Sequence, residues 1–243
     1  MRCFLVLAAS LALTACNAAP GANADDHEAF NERVHRYIVE NPEVIEEALI
    51  ALQQRARARE QAQMMDAVTA LEDAINSDPR DPVFGPADAP VTIVEFFDYR
   101  CPYCRVANDW LAAMAEAHEG QLRIVFKELP LLGEASREAA RAALAVWQLD
   151  RDAYFAVHNE FMAAGSGLNS ERIDDIAASH GVDIATMRET MASEDITEHL
   201  SDVYEVASMA GINGTPFFII NGEVIAGADM RRLQTTLMAA LEG

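Results

Sequence analysis

Two cysteines separated by a proline and a tyrosine, Cys101-Pro102-Tyr103-Cys104, are the residues of this chain whose types and spacing most plainly carry chemistry. A C-x-x-C pair serves as half of a zinc site, as a structural staple or as a reacting dithiol. Zinc needs about four ligands, normally from a second such pair or from clustered histidines. The six histidines, His27, His35, His118, His158, His180 and His199, are scattered and offer no such companion. A disulfide across two intervening residues closes too short a loop to stabilise a large fold appreciably. Redox chemistry is the leading reading. Two thiolates also hold thiophilic metals such as copper, so a metal-binding or delivery protein is the alternative, although no methionine or histidine is clearly placed to help.

The chemistry depends on where a helix begins. Pro102 suits a first helical turn, which puts Cys101 at the N-cap and Cys104 at the third helical position. An N-cap side chain accepts hydrogen bonds from the backbone N–H groups two and three residues on. With a sulfur in that place, those groups and the helix dipole favour thiolate over thiol. Cys104 lies on the same helix face, shielded by the turn. The expected division of labour is that Cys101 attacks and Cys104 resolves.

The flanking segments read as a β-α-β unit. "VTIVEFF", 91–97, is a short apolar run typical of a strand buried on both faces. The helix from Cys101 shows an apolar stripe at Val106, Trp110, Met114 and Ala117 and closes at Gly120. "LRIVFKEL", 122–129, is a second strand, so part of the sheet is parallel. Helices follow over 134–210. "TPFFIINGEVIAG", 215–227, then reads as two strands joined by the hairpin turn Asn221-Gly222. A last helix starts at Asp229 and carries Leu233, Leu237 and Leu241.

Two residues near these elements stand out. Glu95 interrupts the buried strand, where a carboxylate is costly unless protonated or paired. It sits shortly before the cysteine turn and could take the proton of Cys104; an edge-strand glutamate reaching solvent is the plainer reading. Pro216, opening a strand, cannot donate to the ladder, and a cis bond there would let it abut another loop. An ordinary trans proline at a strand entrance fits equally.

The front of the chain reads differently. Arg2, the apolar run Phe4–Leu13 and small residues thereafter resemble an export signal too short to span a bilayer. Two processing patterns compete: the lipobox-like "LTAC" ending at Cys16, which would be lipidated, and "ANA" (Ala22, Asn23, Ala24) before Asp25. Either way Cys3 is lost, and Cys101 and Cys104 are the only free thiols kept. Residues 27–78 carry helical stripes such as Phe30, Val34, Ile38 and Ile45, Leu49, Leu52, with Asn41 capping and Pro42 opening the second helix. "QQRARAREQAQ", 53–63, is polar all round, as a solvated spacer is. Such helices pack on copies of themselves or fold back on their own domain. With 18 basic against 39 acidic residues, a net charge of −21 and Lys127 as the sole lysine, the chain has no basic patch for phosphates, which argues against nucleic-acid partners.

"VEFFDYRCPYC", "FKELPLLG" and "GTPFFIING" together resemble the DsbA family of exported thiol–disulfide oxidoreductases over roughly residues 80–243. The resemblance implies an α/β thioredoxin fold with a helical domain inserted at about 134–210, and a cis bond before Pro216. It also implies a periplasmic location and no cofactor. Cys101, Cys104, Glu95 and Pro216 would be the catalytic set. Thr215, Pro102 and Tyr103 would meet substrate, and Lys127 would match a basic partner of the buried acid. Tyr103 stands where the best-known oxidase has histidine, which predicts a weaker oxidant. "YIVENPEVIEEALIALQ" is similar to the N-terminal stalk of Com1- and ScsC-type relatives, some of which self-associate through it in favour of disulfide isomerisation. The expected organisation is a signal and tether over 1–24, a helical arm over 25–80 and a thioredoxin-like domain over 81–243. The expected partners are misoxidised or unfolded exported proteins, a membrane redox protein and further copies of the chain through residues 27–78.

Overall fold

The structure, a computed structural model, describes residues 24–243. The export signal, the lipobox-like pattern, Cys3, Cys16 and all of the second processing pattern but Ala24 lie outside the described residues. The chain forms two compact units, Met1–Ala58 and Arg59–Gly243.

The first unit holds helix α1 (Ala24–Glu40) and the start of helix α2 (Glu43–Ala70). Asn41 does not cap α2: its side-chain amide donates back to the Tyr37 carbonyl at 2.9 Å, closing α1 instead. Glu43 and Glu46 occupy the first turn of α2, where the helix dipole favours negative charge. Phe30, Val34 and Tyr37 on α1, and Ile45, Leu49 and Leu52 on α2, repeat at helical spacing, yet all are exposed.

The second unit is built on a five-stranded sheet in the order β1-β3-β2-β4-β5, from β1 (Val83–Phe84), β2 (Val91–Phe97), β3 (Leu122–Glu128), β4 (Phe217–Ile220) and β5 (Glu223–Ala226). β2 and β3 are parallel, joined by helix α4 (Pro102–Ala117), and the other pairs are antiparallel. Asn221 and Gly222 both have positive φ, 44° and 86°, as the two-residue turn between β4 and β5 requires. The thioredoxin fold with its helical insertion is thus present. The insertion comprises α5 (Glu134–Leu149), α6 (Arg151–Ala164), α7 (Ser170–Ser179), α8 (Ile184–Met191) and α9 (Glu194–Met209).

Central β2 is buried on both faces, which explains why its residues are mostly apolar instead of alternating. Val91, Ile93 and Phe97 face a core completed by α4, the inserted helices and helix α10 (Met230–Glu242). Val94 and Phe96 face a second core made by α9, the end of α2 and the short helix α3 (Glu72–Asn76). Each such side chain contributes roughly 1.5–3 kcal/mol by its burial.

Val68 and Ile75 belong to this second core. The stretch 59–80, grouped on sequence with the arm, therefore packs within the unit that carries the sheet. A buried polar cluster ties it in place. Lys127 of β3 forms an ion pair with Asp81 and donates to the Ala74 carbonyl at 2.6 Å. The other Asp81 oxygen lies 2.8 Å from His199 Nε2 on α9. Removing one partner of a buried pair typically costs about 3–5 kcal/mol because the other charge stays desolvated. Denaturant melts should accordingly show Lys127→Ala losing stability on that scale. A chain starting at Arg59 should unfold cooperatively, whereas one starting at residue 81 should be strongly destabilised; equal stability of the two truncations would show that 59–80 contributes nothing to the core.

Candidate active site

The dithiol sits where β2 ends and α4 begins. Cys101 is the N-cap residue of α4, extended at φ −76° and ψ 118°, with Pro102 in the first turn. Its backbone N–H donates to the Asp98 carbonyl at 3.0 Å, and its own carbonyl accepts from the Cys104 N–H at 3.1 Å. Both cysteines are free thiols. The expected cap bond from sulfur to helix N–H groups is not made. Instead Cys101 Sγ donates to the Thr215 carbonyl at 3.3 Å. A thiol has a proton to place and the adjacent loop supplies the acceptor. The Thr215–Pro216 bond is cis, and through that sulfur contact the loop that the family resemblance sets beside the cysteines meets Cys101.

The two sulfurs differ in access. Cys101 keeps 6% of its surface exposed, less open than expected, while Cys104 is sealed at 0%. Tyr103, between them, is 66% exposed. Burial, followed by the charge of Glu95, pushes the Cys104 thiol far above its ordinary range. Glu95 is fully buried, and neither carboxylate oxygen has a hydrogen-bond partner among the described residues. Burial first and the Cys101 sulfur second raise its carboxyl to about 8.

Lys127 does not partner this acid. Glu95 lies opposite Phe126 in the parallel register, whereas Lys127 lies opposite Phe96. Side chains alternate across a sheet, so one residue of offset sends the lysine to the other face, where it pairs with Asp81. The assignment carried over from the family fails on that register.

Several residues that organise the site carried no expectation. Asp98 Oδ1 accepts from the Arg100 N–H and from Ser136 Oγ, both at 2.8 Å, and its Oδ2 accepts from the Leu132 N–H at 2.9 Å. One carboxylate thereby ties the loop before Cys101 to the segment after β3. An aspartate at the strand end, two residues before Arg100, is a recognisable Asx-turn signal. A second network has no local signal. Asn108 Nδ2 donates to Asn159 Oδ1 at 2.9 Å, so the Asn108 oxygen faces His158 Nε2 at 3.0 Å as an acceptor. His158 Nδ1 then accepts from the Tyr99 hydroxyl at 2.9 Å, and Glu128 Oε1 lies 3.1 Å from that hydroxyl. Such a chain is fully satisfied when His158 is neutral and Glu128 protonated. Burial acts in that sense on both, lowering the imidazole to about 3 and raising the carboxyl well above its usual range.

The convergent His/Cys/Asp/Glu group among the described residues is Asp78, Asp81 and His199, which excludes the dithiol and has Lys127 in its midst.

Known proteins share this architecture. The family described as Thioredoxin matches residues 76–239, and the Copper resistance protein ScsC N-terminal domain matches residues 26–59. Disulfide bond formation protein D of Bacillus subtilis is 28% identical over 184 residues, covering 70% of this chain and 83% of that protein. Proteus mirabilis ScsC, solved in a transitional conformation, is 31% identical with a TM-score of 0.66, covering 90% of this chain and 97% of that one. The thiol-disulfide exchange protein α-DsbA2 of Wolbachia pipientis is 27% identical with a TM-score of 0.68, covering 75% and 97%. Of the Salinispora Na(+)/H(+) antiporters that it also matches, the chain spans 25%.

The raised Glu95 sets a pH dependence of stability. The unfolded chain releases this proton near 4.5 and the native reduced protein near 8. Between those values the native state binds the extra proton, so stability falls as pH rises through the window. Denaturation of the reduced protein should show a loss on the order of a few kcal/mol from pH 5 to 8 from this acid, and Glu95→Gln should lessen the slope, leaving the share that the buried Glu128 contributes in the same sense. Parallel profiles for the two proteins would contradict the buried-acid assignment. A dithiol at a helix N-terminus, bordered by a cis-proline loop on this sheet, together with these relationships, makes the chain a member of the thioredoxin family and a DsbA-like thiol–disulfide oxidoreductase.

Proposed function

We propose that Cys101 exchanges with disulfides of exported client proteins and that Cys104 resolves the mixed disulfide. The observation that carries this reading is the asymmetry of the two sulfurs: Cys101 keeps 6% of its surface open and bonds to Thr215, whereas Cys104 is sealed and feels the charge of Glu95. In the reducing direction the Cys101 thiolate attacks a client disulfide, forms the mixed disulfide and releases one client thiolate. Cys104 then passes its proton to the Glu95 carboxylate, and its thiolate attacks the Cys101 sulfur. The internal disulfide forms, and the second client thiolate leaves. Reversal oxidises a client, with Glu95 returning the proton to Cys104 as its thiolate departs. A carboxyl that titrates near 8 can act in both directions near neutral pH.

Clients would lie in an extended form along Thr215, the exposed Tyr103 ring and the edge of Pro102. A groove of about 380 Å³ of mixed polar and apolar lining, with Leu131, Tyr204, Ile212 and Asn213 among its residues, sits on the chain leading to Thr215 and would take a neighbouring client side chain.

The exposed stripes of α1 and α2 support self-association of the first unit, as does its match to the ScsC N-terminal domain. Several dithiols presented to one client favour shuffling over simple oxidation, so isomerisation, or dual use, is the proposed activity. Export to the periplasm and a membrane redox partner that resets the dithiol complete the reading.

Cys104→Ala should accumulate client mixed disulfides through Cys101, and Cys101→Ala should lose insulin reduction entirely. Removing residues 1–58 should leave insulin reduction largely intact while lowering both the solution mass to that of a monomer and the rate of refolding of scrambled ribonuclease. A full-length protein that sediments as a monomer and isomerises no better than the truncated one would contradict the role given to the arm.

A further inference from the structure

Away from the dithiol, a cleft of about 330 Å³ opens between the second half of α4, the β1–β3 edge and α6. Three phenylalanines from three elements line it: Phe84, Phe126 and Phe155. Phe84 and Phe155 meet edge to face at 5.0 Å, and Phe126 lies 5.8 Å from Phe155. Leu111 and Ile124 complete an apolar floor, and Phe84 remains 37% exposed at the mouth. A cleft of this size with mainly apolar walls suits a small organic molecule.

The charge around it has one sign. Glu116 near the end of α4 and Glu119 in the turn after it line the cleft and are exposed, and no lysine or arginine lines it. His158 contributes at the inner end, but its hydrogen bonds to Tyr99 and Asn108 hold it as a neutral imidazole. Aromatic rings attract cations through their π faces, and two carboxylates at the mouth add to that field. An anion would meet only repulsion there, and a neutral apolar molecule would gain nothing from Glu116 or Glu119.

We propose that this cleft is a binding site for a small amphiphilic organic cation, an aromatic or branched amine or quaternary ammonium. Its apolar body would lie against Leu111 and Ile124 and its charge among Phe84, Phe155, Glu116 and Glu119. The site shares α4 with the dithiol, since Cys104 occupies the first turn and Leu111 the third. Binding there does not require the redox activity and survives if that assignment is wrong.

Benzyltrimethylammonium, benzyl alcohol and benzoate form a charge series on one ring with which to test the proposal by amide chemical-shift titration of the intact reduced protein. The cation should bind roughly three- to thirtyfold tighter than benzyl alcohol, as cation–π and charge attraction of this kind allow, with benzoate weakest. Shifts should centre on Leu111–Glu119, Phe84 and Phe155. Glu116→Gln combined with Glu119→Gln, both surface changes that leave the fold intact, should reduce the preference for the cation while benzyl alcohol binds as before. Phe155→Leu should weaken the cation more than the alcohol. Equal affinities across the series, no binding, or shifts confined to another surface would overturn the proposal.

Discussion

A carboxylate buried without a hydrogen-bond partner among the described residues, on the strand that leads into the dithiol, is the constraint around which this molecule is arranged. Leaving such a group unpaired in an apolar setting costs several kcal/mol if it is charged. The fold tolerates it because the acid holds its proton until well above the usual carboxylate range. Apart from the half-buried Thr92, the strand's other residues are apolar and buried, and they surround the acid with core. In the proposed exchange this acid would be a proton acceptor and donor that no solvent reaches, and its charge acts on the Cys104 sulfur, which is itself sealed.

The rest of the site follows from keeping that arrangement asymmetric. Pro102 starts α4 so that Cys101 stays at the rim and Cys104 turns inward. The cis-proline loop supplies a carbonyl to the Cys101 sulfur. Asp98 clamps the loop before Cys101 to the segment after β3, and the Tyr99–His158–Asn108 chain ties that loop to α6 and α4. These contacts join parts of the chain up to 59 residues apart, so the helical insertion is part of the scaffold of the redox centre.

How much of this is readable from sequence depends on whether the signal is local. Pro102, the C-x-x-C spacing, the mostly apolar run of β2 and the Asn221-Gly222 turn each act within a few residues, and each element forms where it is expected. The Thr215–Pro216 loop beside the cysteines comes from resemblance, not from local physics. The departures share a cause: they turn on phase or on distance. The stripe through Val106 lies one residue out of phase with the buried positions of α4, which are Cys104, Ala107, Asn108 and Leu111. Resemblance pairs Lys127 with Glu95, but a single residue of register between parallel strands puts it on the opposite face. Residues 59–80 look like more arm because Val68 and Ile75 have the same helical spacing as the exposed stripe. Only the sheet face they cover distinguishes them. The network of Tyr99, His158, Asn108 and Glu128 has no sequence signature, since no spacing rule links a strand end to the sixth helix.

Everything mechanistic rests on unequal access to two thiols three residues apart, one largely buried but keeping 6% of its surface open and the other sealed. Brief treatment of the reduced protein with a small alkylating agent, followed by mapping the label to each cysteine by mass spectrometry, tests this directly. The account predicts label on Cys101 first, with Cys104 modified only after unfolding. Equal labelling of the two in the native protein, or earlier labelling of Cys104, would contradict it.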